Sequence, residues 1–274
     1  MSNIEYDTPE LAEKYDRISN SQFENGIVLV DKLGINGGNN VLDIGCGTGR
    51  LALHAAGIVG KSGRIVGIDP SPLRIETARR KINDKSFDNT SFMVGRAEYL
   101  NGFADNSFDV AYLCAVFHWI ADKKTALKEI HKVLKPGGRV GLTTGDKDNP
   151  FTLRQITNEL FKRDPYAGQV NPDEDPNKPI TQKELQDLFE STGYQDINIT
   201  TKNTRLYFPT PQEVFDFIES SSFGTFLIHV PEHLRPAARH DIEKELEKKR
   251  TAEGIELVSN TIFTTAKKPL QEAN

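Results

Sequence analysis

The chain has 274 residues, of which 37% are hydrophobic and 27% charged, and its formal net charge is −5. This composition allows a sizeable core and indicates one large domain, or one domain with a substantial appendage. The longest apolar runs are far shorter than the roughly 18 residues that cross a bilayer. Acidic residues close to Met1 predict that no secretory leader is present. The negative net charge argues against a large surface that binds nucleic acid.

The two cysteines, Cys46 and Cys114, fall in predicted core segments. A disulfide framework is therefore not expected, and a reducing cytoplasm is the natural location. We expect neither a membrane nor a nucleic acid among the partners of this chain.

The first 34 residues have the features of two helices. Thr8-Pro9-Glu10 supplies a cap, a proline at the first helical position and an early acid. Phe23, Ile27 and Val30 then recur on one face of a second helix. Gly34 and the glycine–asparagine run after it end this helix.

From residue 41 to residue 144 the sequence alternates strands and helices, which predicts a mostly parallel sheet with helices on both faces. The predicted strands of this part are 41–44, 64–69, 91–94, 108–114 and 140–144. The alternation then stops, and a run rich in proline, aspartate and asparagine predicts a surface loop. The remaining predicted elements are helices at about 151–162, 181–192, 211–220 and 233–250 and strands within 195–208 and 255–265.

A strand that runs into a very tight turn lies at the centre of this pattern. Gly45, Gly47 and Gly49 occupy alternate positions of the turn, and glycine lets the backbone adopt positive φ and approach a ligand closely. Asp43 is an acid on an otherwise buried strand, so it needs partners. We expect these partners to be backbone N–H groups of the glycine turn, which Asp43 would brace.

This turn, with Asp69 at the end of the second strand, resembles the first motifs of the class I methyltransferases that use S-adenosylmethionine (SAM). The resemblance is strong over 41–145 and weak over the last strand. It implies an α/β fold with a Rossmann-like, doubly wound sheet of seven strands, mostly parallel, an antiparallel last strand beside the fifth, and a helical lid. A dehydrogenase is least favoured, because the glycine spacing differs by one residue from the dinucleotide fingerprint.

The resemblance places the methyl donor at the carboxyl ends of the first four strands. N–H groups of the glycine turn would hold the methionine carboxylate of SAM, and Asp69 would accept from the ribose hydroxyls. After the third strand, Arg96 stands where the family has an acid before alanine. The backbones of Arg96 and Ala97 would still contact the adenine, and the side-chain contact would be lost or pass to Glu98; alternatively, Arg96 stacks on the adenine or faces solvent. The candidate donor-binding residues are Asp43, Gly45, Cys46, Gly47, Gly49, Asp69, Pro70, Arg96, Ala97, Glu98 and Cys114.

His118 and Trp119 follow the fourth strand, where the family holds the transferable methyl group. This pair resembles small-molecule methyltransferases of the trans-aconitate and malonyl-carrier-protein kind, and the proline-rich motif of base-modifying N-methyltransferases is absent. His118 is the candidate catalytic residue, as a general base or as a group that orients the acceptor; a hydrogen bond to backbone or donor is the alternative. The candidate substrate-binding residues are Tyr15, Gln22, Phe23, Phe117 and Trp119, and ordinary packing is the alternative for them.

We therefore predict one methyltransferase domain over residues 1–274. Its core would comprise about 35–146, 181–208 and 255–268, and its lid segments 1–34, 147–180 and 209–254. We expect SAM as donor, no metal, a small-molecule acceptor, and a monomer or homodimer. Methylation of a protein or RNA, and SAM binding without catalysis, remain the alternatives.

Overall fold

A computed structural model describes residues 7–85 and 88–271 of the chain. The α-helices of these ranges are α1 (Pro9–Ile18), α2 (Asn20–Leu33), α3 (Arg50–Val59), α4 (Pro72–Lys85), α5 (Lys123–Val133), α6 (Thr152–Leu160), α7 (Gln182–Ser191), α8 (Pro211–Ser221) and α9 (Arg235–Glu247). The strands are β1 (Asn40–Ile44), β2 (Arg64–Asp69), β3 (Thr90–Val94), β4 (Phe108–Cys114), β5 (Leu134–Gly145), β6 (Gln195–Phe208), β7 (Arg250–Thr251) and β8 (Gly254–Lys267).

The strands form one sheet in the order β3-β2-β1-β4-β5-β8-β6, with the two-residue β7 paired to β8. Strands β1 to β5 pair in parallel. Strand β8 runs antiparallel to β5 on one side and to β6 on the other. The predicted mostly parallel, doubly wound sheet with an antiparallel last strand beside the fifth is therefore confirmed.

Alternate side chains of the central strands pack into separate cores on the two faces of the sheet. Leu42 and Ile44 of β1 belong to a core with α5 and α7. Val41 belongs to a second core with α2, α3 and α4. Because these strands are parallel, the carboxyl ends of β1, β2, β4 and β5 lie at one edge of the sheet. Ligands bind at this edge in open parallel sheets.

A third core lies beyond this edge and is built from α6, α8, α9 and the start of β8. Tyr166, Phe215 and Ile242 are fully buried in it. Tyr166 belongs to the connection predicted to be a surface loop, and its hydroxyl donates to Asp241 over 2.7 Å. Segments 147–180 and 209–254 therefore share one hydrophobic core next to the carboxyl ends of the strands.

Element boundaries differ most from prediction at two places. Strand β5 starts at Leu134 instead of residue 140, because Leu134 pairs with Phe108 before an irregularity in the register. Helix α9 is shorter than the predicted 233–250, because Glu232–Leu234 form a 3₁₀ turn and β7 takes the other end. Within the two described ranges, no helix has the length and apolar content that crossing a membrane requires.

Candidate active site

The glycine turn connects β1 to α3 and has glycine at three positions with positive φ. The φ angles of Gly45, Gly47 and Gly49 are 73°, 53° and 80°. A Cβ at Gly45 would lie 2.3 Å from Val116, and a Cβ at Gly49 would lie 2.7 Å from Phe92. These two glycines are therefore required by protein packing, whereas Gly47 faces the Tyr15 ring.

The N–H groups of this turn are largely used by the protein itself. Those of Gly45 and Cys46 donate to the carbonyl of Ile68 over 2.7 and 2.9 Å. That of Gly47 donates to Asp69 over 2.9 Å, and that of Gly49 to the carbonyl of Cys46 over 2.9 Å. The first two bonds fix the end of β1 against the end of β2, and the role of this turn in holding the donor carboxylate stays a prediction.

Asp43 does not brace the glycine turn, because its partner is on the neighbouring strand. The hydroxyl of Tyr112 on β4 donates to Asp43 over 2.9 Å, and both side chains are buried. Burial raises the pKa of Asp43 to about 8, the hydrogen bond from Tyr112 opposes this rise, and the Asp69 carboxylate adds to it. The predicted pairing of Asp43 with turn N–H groups is therefore wrong.

Asp69 links the glycine turn to the start of α4. Its two carboxylate oxygens accept from the N–H groups of Gly47 and Ser71, over 2.9 and 2.8 Å. Burial raises its pKa, while the Arg74 charge and these two N–H groups lower it. Each oxygen keeps a further lone pair, so the carboxylate remains able to accept from a ribose hydroxyl.

The turn after β3 lies next to Asp69, because the N–H of Gly95 donates to the Asp69 carbonyl over 3.1 Å. Ala97 is buried, and Arg96 and Glu98 are partly buried. The backbones of Arg96 and Tyr99 form an isolated bridge. The adenine role of this turn stays a prediction.

A small cavity of about 40 Å³ lies against the glycine turn; we call it the donor cavity. Its lining consists of Tyr15, Ser19, Gln22, Phe23, Asp43, Gly45, Cys46, Thr48, Arg50, Leu51 and Cys114. A water needs roughly 10–15 Å³ by this measure, so the cavity is far smaller than a nucleoside joined to an amino acid. Helix α1 and the start of α2 therefore cover this side of the glycine turn.

Charged contacts that the sequence did not reveal hold α1 over the donor cavity. Asp16 accepts from the Thr48 hydroxyl over 2.5 Å and also pairs with Lys81 of α4. The guanidinium of Arg50 donates to the Asp16 carbonyl over 3.1 Å. Arg50 is the charged side chain of the donor-cavity lining that suits a carboxylate. The sequence signal that could have identified Arg50 is an arginine at the start of the helix that follows a glycine turn.

A second cavity, of about 180 Å³, adjoins the donor cavity; we call it the acceptor cavity. Tyr15 and Gln22 line both cavities. The other walls come from the end of β5, the turn after β4, α8 and β8, and they include Thr143, Thr144, His118, Trp119, Phe217, Ile218, Ser259 and Thr261. Thr143 and Thr144 were missed from the sequence, although their place at the carboxyl end of a predicted parallel strand was a signal.

His118 sits in the acceptor cavity beside Thr144, with 3.3 Å between its Nδ1 and the threonine Oγ1. Burial lowers its pKa to about 3, and the charges of Lys123 and Arg154 contribute. The imidazole is therefore neutral at physiological pH. A weakly basic ring that already has a hydroxyl partner is better suited to orienting an acceptor than to taking its proton.

The predicted substrate-binding residues divide into three groups. Tyr15, Gln22 and Trp119 line the acceptor cavity. Phe23 lines only the donor cavity, where the Arg50 guanidinium lies 4.5 Å from its ring centre. Phe117 is fully buried in the core below β4, so its predicted contact with the acceptor is corrected.

A family model described as a methyltransferase domain matches residues 35–193, which is more than half of the chain. The chain belongs to this methyltransferase family. It is a class I methyltransferase with SAM as its methyl donor. Two residues next to the glycine turn fit that donor: Arg50, which lines the donor cavity, can bind a carboxylate, and Asp69, which accepts from the N–H of Gly47, can also accept from a hydroxyl.

The chain is similar to many curated proteins and solved structures, and the following three are among them. The "Ubiquinone/menaquinone biosynthesis C-methyltransferase UbiE" of Hahella chejuensis is 36% identical over 168 residues, which are 58% of this chain and 67% of that protein. The "Demethylmenaquinone methyltransferase" of Lactobacillus johnsonii is 31% identical over 183 residues, which are 63% of this chain and 74% of that protein. The crystal structure of a SAM-dependent methyltransferase from Aquifex aeolicus has a TM-score of 0.54 at 20% identity over 70% of this chain and 90% of that chain, a likeness of fold alone.

Proposed function

We propose that this protein methylates an uncharged, oxygen-substituted aromatic ring of the hydroquinone class, bound in the acceptor cavity. The observation that carries the proposal is the charge of the lining. Among the described residues around this cavity, hydroxyl, amide and aromatic side chains occur together with His118, and no aspartate, glutamate, lysine or arginine does. A neutral acceptor with polar substituents matches these walls.

This lining does not favour the trans-aconitate type of acceptor that the His-Trp pair predicts. A polycarboxylate in such a cavity would lose its hydration without meeting a cation, which costs several kcal/mol per charge. The relatives named above carry the names of quinone C-methyltransferases. Their names and the neutral lining support the same acceptor class.

The side chains of the acceptor cavity have defined tasks in this reaction. SAM supplies a methyl group already activated on a sulfonium, so the protein mainly aligns the acceptor and excludes water. Transfer to a ring carbon displaces the proton of that carbon, which passes to solvent when the product leaves. Tyr15 and Gln22 lie where the donor and acceptor cavities meet, and so they set the approach of the two reactants. His118 and Thr144, held together over 3.3 Å, hydrogen-bond a ring oxygen and fix which ring position faces the donor.

The proposal is tested by incubating the purified protein with methyl-labelled SAM and an acceptor panel, followed by mass spectrometry. Naphthohydroquinone, trans-aconitate, total RNA and a protein extract are the acceptors. We expect label on naphthohydroquinone alone, and its loss in the Asp69→Ala variant. Label on trans-aconitate, RNA or protein but not on naphthohydroquinone would overturn the assignment.

We also propose a cytoplasmic location. Cys46 and Cys114 are free thiols, and burial raises the pKa of Cys114 to about 12 and that of Cys46 well above its usual value. Two unoxidised core cysteines suit a reducing compartment. The number of subunits, one or two, stays a prediction.

A further inference from the structure

Strands β6 and β8 contribute a separate group of hydroxyls to the wall of the acceptor cavity. Thr204 of β6 and Ser259 of β8 are direct neighbours in the antiparallel register, and both line the cavity. Thr261 lies two residues after Ser259, on the same face of β8, and lines the cavity as well. We call Thr204, Ser259 and Thr261 the strand hydroxyls.

Thr204 has a hydroxyl oxygen without a hydrogen-bond partner. Its Oγ1 is buried, and none of the residues that the structure describes donates to it or accepts from it. Buried polar groups of folded proteins are nearly always paired, because an unpaired one loses its hydration without compensation. A hydroxyl that lacks a partner next to a ligand cavity therefore indicates a contact that a bound ligand completes.

Neighbouring polar side chains on this side of the cavity already have partners within the protein. Gln22 of α2 donates to the Ser221 hydroxyl of α8 over 3.1 Å. Asn25 of α2 donates to the Thr261 hydroxyl over 3.5 Å. These contacts fix α2 and α8 beside the strand hydroxyls. An oxygen of a ligand that enters here thus finds an unused partner in Thr204.

The strand hydroxyls and the His118–Thr144 pair approach the cavity from opposite faces of the sheet. Thr144 of β5 pairs with Ile262 of β8, and Thr204 pairs with Ser259. Paired residues share a face, whereas Ile262 and Ser259 are three positions apart on one strand and point to opposite faces. Ile262 accordingly belongs to the core with α5 and α7. A ring at the carboxyl end of β5 would therefore lie between two hydroxyl groups.

We propose that Thr204 binds a second oxygen of the acceptor and makes the site selective for rings with two oxygen substituents. One ring oxygen meets His118 and Thr144, and the other meets the Thr204 hydroxyl. The ring is then held at both ends, which fixes the carbon that faces Tyr15 and Gln22, where the donor cavity adjoins. This assignment rests on the proposed function for the first oxygen, but selective binding does not require turnover.

Trp119 provides the readout, because it lines the acceptor cavity and is the only tryptophan of the chain. Its fluorescence is titrated under reducing conditions with naphthohydroquinone, which has two hydroxyls, and with naphthol, which has one. The test variant is Thr204→Val, which removes the hydroxyl and nearly keeps the volume. Thr204→Ala takes its place if the valine variant does not fold.

Two further variants are the controls. Thr264→Val is the matched change, because Thr264 of β8 also has a buried Oγ1 without a partner among the described residues, but it does not line the acceptor cavity. Thr204→Ser keeps the hydroxyl and tests whether it alone restores the wild-type behaviour.

We expect wild type, Thr264→Val and Thr204→Ser to bind naphthohydroquinone about tenfold more tightly than naphthol, the ratio that one added hydrogen bond supplies. Burial of apolar surface alone would favour naphthol, so this preference reports the second hydroxyl. Thr204→Val should bind the two probes with nearly equal affinity and keep the wild-type affinity for naphthol. No preference in wild type, no binding of either probe, or the wild-type preference in Thr204→Val would overturn the inference.

Methyl transfer to naphthohydroquinone is measured separately. A preference that depends on Thr204 without methyl transfer would refute the proposed function and leave the role of Thr204 standing. Methyl transfer by a protein whose preference does not depend on Thr204 would refute only the role of Thr204.

Discussion

Arg74 joins two of the predicted lid segments, 1–34 and 209–254, to the donor site, and its removal should release α1. The side chain is 4% exposed, and its guanidinium pairs over 3.1 Å with Asp7, whose side chain is fully buried. It also donates to the carbonyl of Ser220 at the end of α8 over 2.9 Å. The ring centres of Tyr15 and Phe223 lie 4.5 and 3.9 Å from its central carbon. One cation thus contacts the N-terminal segment, α1 and the end of α8.

The change Arg74→Gln leaves the Asp7 carboxylate buried without its cation. Removing one partner of a buried ion pair costs about 3–5 kcal/mol. Asp7 can avoid this cost by moving into water together with α1, so we expect the loss to appear as undocking of α1. A loss of about 3 kcal/mol corresponds to a roughly hundredfold weaker docking equilibrium, since about 1.4 kcal/mol is a factor of ten.

Hydrogen exchange and stopped-flow binding measure this release. Amides of α1 should exchange faster in Arg74→Gln, and S-adenosylhomocysteine should associate faster, because Tyr15 of α1 covers the donor cavity of about 40 Å³. Arg79→Gln is the matched control: Arg79 is an exposed residue of the same helix, and its Nε donates to the carbonyl of Phe92. The same α1 protection and the same association rate in both variants would refute the reasoning.

Three further predictions concern single residues of the site. The pKa of Asp43 is raised from 3.8 to about 8, so the native state keeps a proton that the unfolded chain loses, and this contribution to stability falls as pH rises through that window. The urea midpoint of Asp43→Asn minus that of wild type should therefore increase between about pH 5 and pH 8. A constant difference between the two midpoints would contradict this. His118→Gln should lower kcat more than donor affinity. It should leave the pH–rate profile between about pH 5 and pH 8 unchanged, since burial lowers the pKa of His118 to about 3. If the variant loses a titration step near neutrality, His118 is a general base instead. Gly45→Ala should lower the free energy of unfolding by about 1–3 kcal/mol, because the new Cβ would lie 2.3 Å from Val116. Adding Val116→Ala should restore part of this stability in the double variant. An unchanged unfolding temperature in Gly45→Ala would contradict the clash.

The sheet and the glycine turn were predictable from the sequence because local patterns encode them. Strand β2 has the predicted bounds, and β8 lies in the predicted place beside β5. Alternating burial and glycine at positions of positive φ are properties of a few neighbouring residues. Such signals survive without knowledge of the tertiary structure.

The partners of the site residues were not predictable, because they come from distant parts of the chain. Asp43 meets Tyr112, which is 69 positions away, and Arg74 meets Ser220, which is 146 positions away. Phe117 and Trp119 belong to the same 3₁₀ turn, yet Phe117 packs into the core and Trp119 lines the acceptor cavity. The charges that lower the pKa of His118 belong to two other segments. Local sequence contains none of this information.

Calorimetric titration with S-adenosylhomocysteine tests most directly the claim that the donor binds at the glycine turn and Asp69. The wild type should bind, and Asp69→Ala should weaken binding by about 1–3 kcal/mol, the cost of leaving hydrogen-bonding groups unpaired. Asp109→Ala is the control, because Asp109 pairs with Lys135 at the amino-terminal end of β4, and its affinity should equal that of wild type. No binding by wild type, or equal affinities of wild type and Asp69→Ala, would contradict the account.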